Sequence, residues 1–266
     1  MKNFSTLLIT LLFIASGYSQ TILKDIIPGD GSGMGPYPDF NYNNSVMAFW
    51  ANTNLFSQDV WKSNGTSAGT VKIASTIGAN FQFIGNKILF TTSNLLYITD
   101  GNLDQQQVLF EAEGNFLSLT VLGQKIIGLI DRKDSVDIIV SDGSVQGTRK
   151  IATMLESIDE TLITYYEDNM VITDPRSSSQ KFKPIITDGT SEGTMYVSEF
   201  TQDLGIEFDF VDAFGGGNAL VLQSSNDAIV YSNGVTGQTL RDGQIEKVLN
   251  VGDWLVFSLH IWIFSV

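Results

Sequence analysis

Apolar and polar residues alternate along this chain in short runs, and nothing keeps helical spacing beyond a turn or two. Runs rich in β-branched and other apolar residues predict strands at Lys87–Phe90, Lys125–Leu129, Asn169–Thr173 and Asn218–Leu222, each behind a Gly/Asn/Lys turn. Ser45–Trp50 opens the series, and Val71–Ile73 and Thr194–Val197 read as strands that restart after a Gly-Thr pair. The best helical candidate is Glu156–Thr164.

A tripeptide punctuates these strands. Ser/Thr–Asp/Asn–Gly occurs at Ser63-Asn64-Gly65, Thr99-Asp100-Gly101, Ser141-Asp142-Gly143, Thr187-Asp188-Gly189 and Ser232-Asn233-Gly234, with glycine spacings of 36, 42, 46 and 45. Apolar pairs precede the copies: Val60-Trp61, Leu96-Tyr97, Ile138-Ile139 and Ile229-Val230, with Pro184-Ile185 the weakest. Thr70, Thr148, Thr194 and Thr239 fall five residues beyond the glycine, and Gly69, Gly147 and Gly193 precede three of them. Asx-Gly after a β-rich run signals a hairpin, because the glycine accepts positive φ and the Asx side chain bonds the turn backbone. Three or four short strands per repeat of this length predict propeller blades.

The segment Val60-Trp61-Lys62-Ser63-Asn64-Gly65-Thr66-Ser67-Ala68-Gly69-Thr70 resembles the E-L-W-x-x-D-G-T-x-x-G-T repeat of secreted bacterial proteins. Ile185–Thr194 and Ile138–Thr148 are further copies, and Ile22–Gly33 is similar to the segment that follows each repeat in that family. The likeness covers most of residues 21–266. Asp59 and Asp137 stand where the family has Glu, Trp survives only at Trp61, and the second copy has Gln105-Gln106 in place of Gly-Thr. The resemblance implies a propeller-like surface or secreted repeat protein, and carries no established general ligand or activity with it.

The two ends are complementary. Ile261-Trp262 matches Val60-Trp61, so Val266 falls where the next turn glycine would stand, while Thr21-Ile22-Leu23-Lys24 aligns with Thr70-Val71-Lys72-Ile73. A six-bladed β-propeller whose last blade is closed by the N-terminal strand follows, with strand 21–26 pairing with 261–265 and no sheet edge left open. A truncated reading frame is the competing explanation.

Composition narrows the chemistry. Of 266 residues, 15 are Lys or Arg and 29 are Asp or Glu, giving −14, with no Cys and one His. Thiol nucleophiles, disulfides and Cys-based metal sites are therefore excluded within the chain. Residues 1–19 read as a secretory signal, with Lys2, an apolar stretch from Leu7 to Ala15, and small residues at Gly17 and Ser19. Cleavage near Ser19 leaves residues 20–266 as a single β-propeller repeat domain, secreted to the periplasm or medium. The apolar stretch is short of the ~20 residues of a membrane span. The acidic balance disfavours nucleic acid and anionic membrane surfaces.

The evident carboxylates are Asp100, Asp142 and Asp188, but they share one repeat position with Asn64 and Asn233. Asn keeps the acceptor and lacks the ionisable group, so the pattern asks for an Asx turn rather than an acid or base. The sites singled out are thus structural turns: Asn64, Gly65, Asp100, Gly101, Asp142, Gly143, Asp188, Gly189, Asn233 and Gly234. No metal ligand set, cofactor or catalytic residue is assigned. Asp131–Asp137 reads as a solvated hairpin tip, and Gly215-Gly216-Gly217 as a flexible turn. Trp50, Trp61, Trp254 and Trp262 read as packing residues, His260 precedes a terminal strand, and Asp174–Gln180 is a variable loop. The least repeat-like acidic stretches are Asp159–Asp168 and Asp203–Asp212. The expectation is a non-catalytic binding or display module for a glycan or protein on one propeller rim. The alternative is a carbohydrate-active hydrolase with paired carboxylates in a central pocket.

Overall fold

The computed structural model describes Ile26 and residues 39–260 apart from 44, 55–56, 156–157, 159–160, 175–182, 204–211, 218, 224–226, 233–234, 242–243 and 252–253. The described residues are all-β with one short helix. Its first sheet holds β1 (Phe40–Tyr42), β2 (Met47–Asn54), β3 (Ser57–Ser63) and β4 (Val71–Ala74) as an antiparallel meander. The second holds β5 (Ala79–Ile84), β6 (Lys87–Thr91), β7 (Leu95–Thr99) and β8 (Gln107–Glu111). The third repeats the order with β9 (Asn115–Leu122), β10 (Lys125–Asp131), β11 (Val136–Ser141) and β12 (Arg149–Met154).

The fourth sheet comprises β13 (Leu162–Tyr166), β14 (Asn169–Thr173), β15 (Ile185–Thr187) and β16 (Met195–Tyr196), followed by α1 (Val197–Asp203). β17 (Asp212–Gly217), β18 (Ala219–Gln223), β19 (Asp227–Ser232) and β20 (Val235–Arg241) form the fifth, and β21 (Gln244–Val251) pairs with β22 (Trp254–His260) beyond it. The fourth and fifth are joined edge to edge, because β13 and β17 pair in parallel through Tyr165↔Gly216 and Tyr166↔Gly217.

The first five sheets stack in sequence order, and apolar residues fill the gaps between them. Ala48 and Val60 of the first meet Phe81 and Phe90 of the second. Leu89 and Leu96 meet Leu119, Ile126 and Ile139, and Ile127 and Leu129 in turn meet Met170 and Ile172. Val171 and Ile186 of the fourth sheet pack with Leu220 and Leu222 of the fifth. A sheet covered on both faces needs apolar residues at odd and even positions alike. That is why Lys125–Asp131 reads as one continuous run, Ile126 and Ile130 facing one neighbour while Ile127 and Leu129 face the other.

On the outer side of the first sheet, Phe49, Ala51 and Trp61 are buried with Ile26 packed against them. They occupy the face that, in the third sheet, meets the sheet before it.

First strands lie beside first strands, with polar side chains tying them together. Asn41 Nδ2 donates to the Phe81 carbonyl at 2.7 Å and to Gln82 Oε1 at 3.0 Å, and Gln82 Nε2 donates to the Leu119 carbonyl at 2.8 Å. Tyr165 Oη donates to the Val121 carbonyl at 2.9 Å. Four-stranded meanders stacked face to face around adjoining first strands have the arrangement of propeller blades.

Three expectations from the sequence change here. Leu162–Tyr166 is a strand where a helix over Glu156–Thr164 was the best helical candidate; its β-branched and aromatic residues pair with Asn169–Thr173. The helix is instead α1, and it cuts the strand expected at Thr194–Val197 to Met195–Tyr196. Val197 is fully buried and its N–H donates to the Pro184 carbonyl at 2.8 Å, while the Phe200 ring meets Tyr166 edge-on at 6.1 Å. Gly215–Gly217 is strand rather than turn, since ladders on both sides of β17 outweigh glycine's poor strand propensity. Residues 1–25 and 261–266 lie outside the described residues, and with them the leader, Trp262 and the pairing of 21–26 with 261–265.

Candidate functional site

The repeated turn is a closed hydrogen-bond circuit, and the first, third and fourth copies build it identically. Asn64 Oδ1 accepts from Thr66 N at 3.1 Å and Thr66 Oγ1 at 2.7 Å; Asp142 Oδ1 takes Ser144 N at 2.9 Å and Oγ at 2.7 Å; Asp188 Oδ1 takes Thr190 N at 2.8 Å and Oγ1 at 2.7 Å. Those hydroxyls accept from Gly69, Gly147 and Gly193 N–H at 2.9–3.0 Å.

A second relay lies beneath. The hydroxyls of Thr70, Thr148 and Thr194 donate to the carbonyls of Thr66, Ser144 and Thr190 at 2.7, 2.6 and 2.5 Å. Their single proton is then spent, so the buried Ser63, Ser141 and Thr187 hydroxyls donate to them, at 2.8, 2.7 and 2.6 Å. Gly65, Gly143 and Gly189 hold φ of 81°, 84° and 80°. Gly69, Gly147 and Gly193 have another role, because a Cβ there would stand 1.8–2.2 Å from the Asx side-chain oxygen.

The remaining copies lack parts of this circuit. In the second, Asn102 replaces the hydroxyl residue, Asp104 takes φ 53° and its N–H bonds the Ile73 carbonyl at 2.9 Å, and Gln106 Oε1 is buried without a partner among the described residues. In the fifth, Val235 stands at the hydroxyl position and opens β20, with Ser232 paired to Val235 and Thr239 opposite Ile229. Thr239 is therefore within a strand rather than starting one. Asn233 and Gly234 lie outside the described residues.

Other carboxylates are dispersed. Asp137 is not part of a solvated tip. It is buried, accepts from Thr153 Oγ1 at 2.5 Å, and pairs with Arg132 at 3.3 Å and Lys150 at 3.4 Å; only Lys133 and Asp134 form the exposed tip. Asp59 repeats the device, accepting from Thr53 Oγ1 at 2.5 Å and pairing with Lys72 at 3.4 Å. Glu167 and Asp168 form the exposed β13–β14 turn, Asp174 is buried, and the central part of Asp203–Asp212 lies outside the described residues. Among the described residues, no three His, Asp or Glu gather as a metal set, and no helix is long and apolar enough to cross a membrane.

The antiparallel meander sends the first-to-second and third-to-fourth strand turns of every sheet to one rim, here called the turn rim. One register position next to that rim, on the first strands, is occupied by Tyr42, Phe83, Val121 and Tyr165, opposite Met47, Ile88, Ile126 and Met170. Gly215 and Asn250 hold it on β17 and β21. Tyr42 is 72% exposed, Val121 and Tyr165 are each 41% exposed, and Phe83 is half-buried. Partial burial pushes the Tyr165 phenol upward in pKa.

Beside this crown, between the second and third sheets, runs a groove of about 570 Å3 lined by Phe83, Ile84, Val121, Gln124, Lys125 and Asp142. Hydrogen bonds from the Ser144 hydroxyl and N–H hold the Asp142 carboxyl below its usual range. Sequence reasoning missed the crown because its members come from different residue classes; the signal was their shared place just before each first-strand turn. A second recess of about 470 Å3 opens on the opposite rim, among Thr76, Ile77, Asn80, Thr91, Thr92 and Ser93.

No protein-family model matches the chain, and no curated protein matches it. Among solved structures it is similar to a nidogen/laminin complex at 12% identity, covering 77% of this chain and 78% of that one, with a TM-score of 0.42. It is similar to the β-propeller domain of the Trilobed protease from Pyrococcus furiosus at 12% identity, over 84% and 79% of the two chains, with a TM-score of 0.45. The acylaminoacyl peptidase of Pyrococcus horikoshii aligns at 10% identity over 84% of this chain and 43% of that one, with a TM-score of 0.48. The fold assignment rests on the pairing and stacking of the sheets themselves.

Proposed function

We propose that residues 20–266 form a secreted, non-catalytic binding or display module, a six-bladed propeller closed by its N-terminal strand and belonging with the E-L-W-x-x-D-G-T repeat proteins. Closure is supported by the buried outer face of the first sheet with Ile26 on it, and by β21–β22, which supply half of a sixth sheet. The leader at 1–19 directs export. A glycan or protein partner is engaged across the turn rim.

The observation that carries the binding reading is the crown of exposed Tyr42, Val121 and Tyr165 with Phe83 at one register, opening into the adjoining groove. Aromatic and apolar side chains left exposed at one register on successive sheets mark a recognition surface. The turn carboxylates of Asp142 and Asp188 are engaged in holding loops, and those of Asp59 and Asp137 are neutralised by lysines. A glycan array with the purified mature protein, followed by a hydrolysis assay on every hit, tests this. Binding without turnover is expected, and turnover of a bound glycan overturns the non-catalytic reading.

A further inference from the structure

Resting on that binding reading, we propose that the groove between the second and third sheets is a subsite for a neutral glycan: an apolar sugar face lies on Phe83 and Val121, and sugar hydroxyls bond Asp142 Oδ2 and Gln124. The floor and walls differ in chemistry in the way a pyranose demands. Phe83, Ile84 and Val121 give apolar surface, while Gln124, Lys125 and Asp142 bring planar or charged polar groups to the same space.

Asp142 is suited to accept hydroxyls because its two oxygens are divided. Oδ1 takes both turn bonds, from Ser144 N and Oγ, and no donor among the described residues reaches Oδ2. The turn therefore fixes the carboxylate while leaving one face for a ligand. Gln124 is exposed at the β9–β10 turn and its amide has no partner among the described residues. An oriented acceptor and a free amide suit the paired hydroxyls of a sugar.

Charge selects the neutral class. The groove holds one acid and one base, Asp142 and Lys125, and so has no net charge of its own. The chain around it carries −14, which repels sulfated or uronate polymers.

The repeat supplies a variant that spares the fold. Asp142→Asn keeps the Oδ1 acceptor, as Asn64 does in the first turn, and replaces only the free Oδ2 by an amide donor. Asp188→Asn makes the same change in a turn outside the groove and serves as the control. The mature protein and these variants, with Gln124→Ala, are titrated calorimetrically against neutral gluco-, manno- and galacto-oligosaccharides and against sulfated and uronate oligosaccharides, with a thermal melt for each. The expected result is binding of a neutral member, weakened about tenfold or more by Asp142→Asn and several-fold by Gln124→Ala, as loss of a hydrogen bond to a charged and to a neutral group predicts. Asp188→Asn binds as the parent does, and every variant still melts in one cooperative transition, Asp142→Asn slightly below the parent because its turn loses a charged acceptor.

Silence of every neutral member, or preference for the anionic ones, overturns the proposal. Neutral binding indifferent to Asp142→Asn and Gln124→Ala overturns the groove assignment and leaves the binding module standing. Cleavage of a bound neutral glycan, with the variants weakening its binding, keeps the subsite and overturns the non-catalytic reading.

Discussion

Replacing Gly147 by alanine tests the account of the repeated turn. Gly147 is not among the glycines at positive φ, so its backbone suits an L-residue, and its Cβ would lie 2.0 Å from Asp142 Oδ1. The Asp142 side chain must swing out, losing the Ser144 N and Oγ bonds of 2.9 and 2.7 Å. Bonds to a charged group contribute ~1.5–3 kcal/mol each when buried, and these are exposed, so their joint loss costs about 2 kcal/mol. Alanine returns ~0.4–1 kcal/mol by restricting the unfolded chain. The net destabilisation is then about 1–1.5 kcal/mol, a fall in Tm of roughly 2–6 °C for a domain of this size. With Asp142→Ala already in place there is nothing to displace, and Gly147→Ala becomes neutral or stabilising by about 0.5 kcal/mol. Urea melts on the four proteins of the cycle give a coupling near 2 kcal/mol. A coupling below about 0.5 kcal/mol would show that the Asx side chain is not why glycine stands there.

Three further outcomes follow from the same structure. Asp137→Ala destabilises by about 1–2 kcal/mol in urea melts, below the ~3–5 kcal/mol of a wholly buried pair because Arg132 and Lys150 are 31% and 44% exposed and turn to water; no change would show that the pair is inert. Gln82→Ala removes the link across the first three sheets and costs about 1–2 kcal/mol, with amide exchange quickening in β5 and β9 if the link matters locally. Asp142 has its folded pKa depressed below 3.8, so its stabilising contribution is full above that value and is lost as pH falls through the folded pKa. Acid unfolding should therefore bring the parent and Asp142→Asn together below pH 3.8, and a difference that grows on acidification would reverse the sign.

Much of the frame was legible in the sequence for local reasons. Asn169–Thr173 is the predicted strand residue for residue, and Lys87–Phe90, Lys125–Leu129 and Asn218–Leu222 fall within two residues of the observed strands. Apolar runs that follow a Gly/Asn/Lys turn state their own secondary structure. The fifth turn differs from the wide-loop copies because the hydroxyl residue two positions after the Asx position is replaced there by Val235, which opens β20 opposite Ser232. Helix α1 was illegible because Phe200 finds its partner, Tyr166, in another strand.

The candidate site was harder to see for the same reason. Tyr42, Phe83, Val121 and Tyr165 share no motif, and they become neighbours only when first strands are set side by side. Asp59 and Asp137 were visible as family-like positions, yet their burial depends on Lys72 and Lys150 arriving from the next strand.

By itself the sequence determined the period, the turns and the chemistry withheld from the chain, because a turn is closed by hydrogen bonds among residues within seven positions of one another. Which faces meet, which carboxylates are neutralised and where rings are left in water were decided only in the tertiary structure. The carboxylates depend on pairing between neighbouring strands, as Asp137 with Lys150, while the faces and rings depend on residues about 40 positions apart, such as Asn41 on Phe81 or Tyr165 on Val121, that only the stacking of sheets brings within reach.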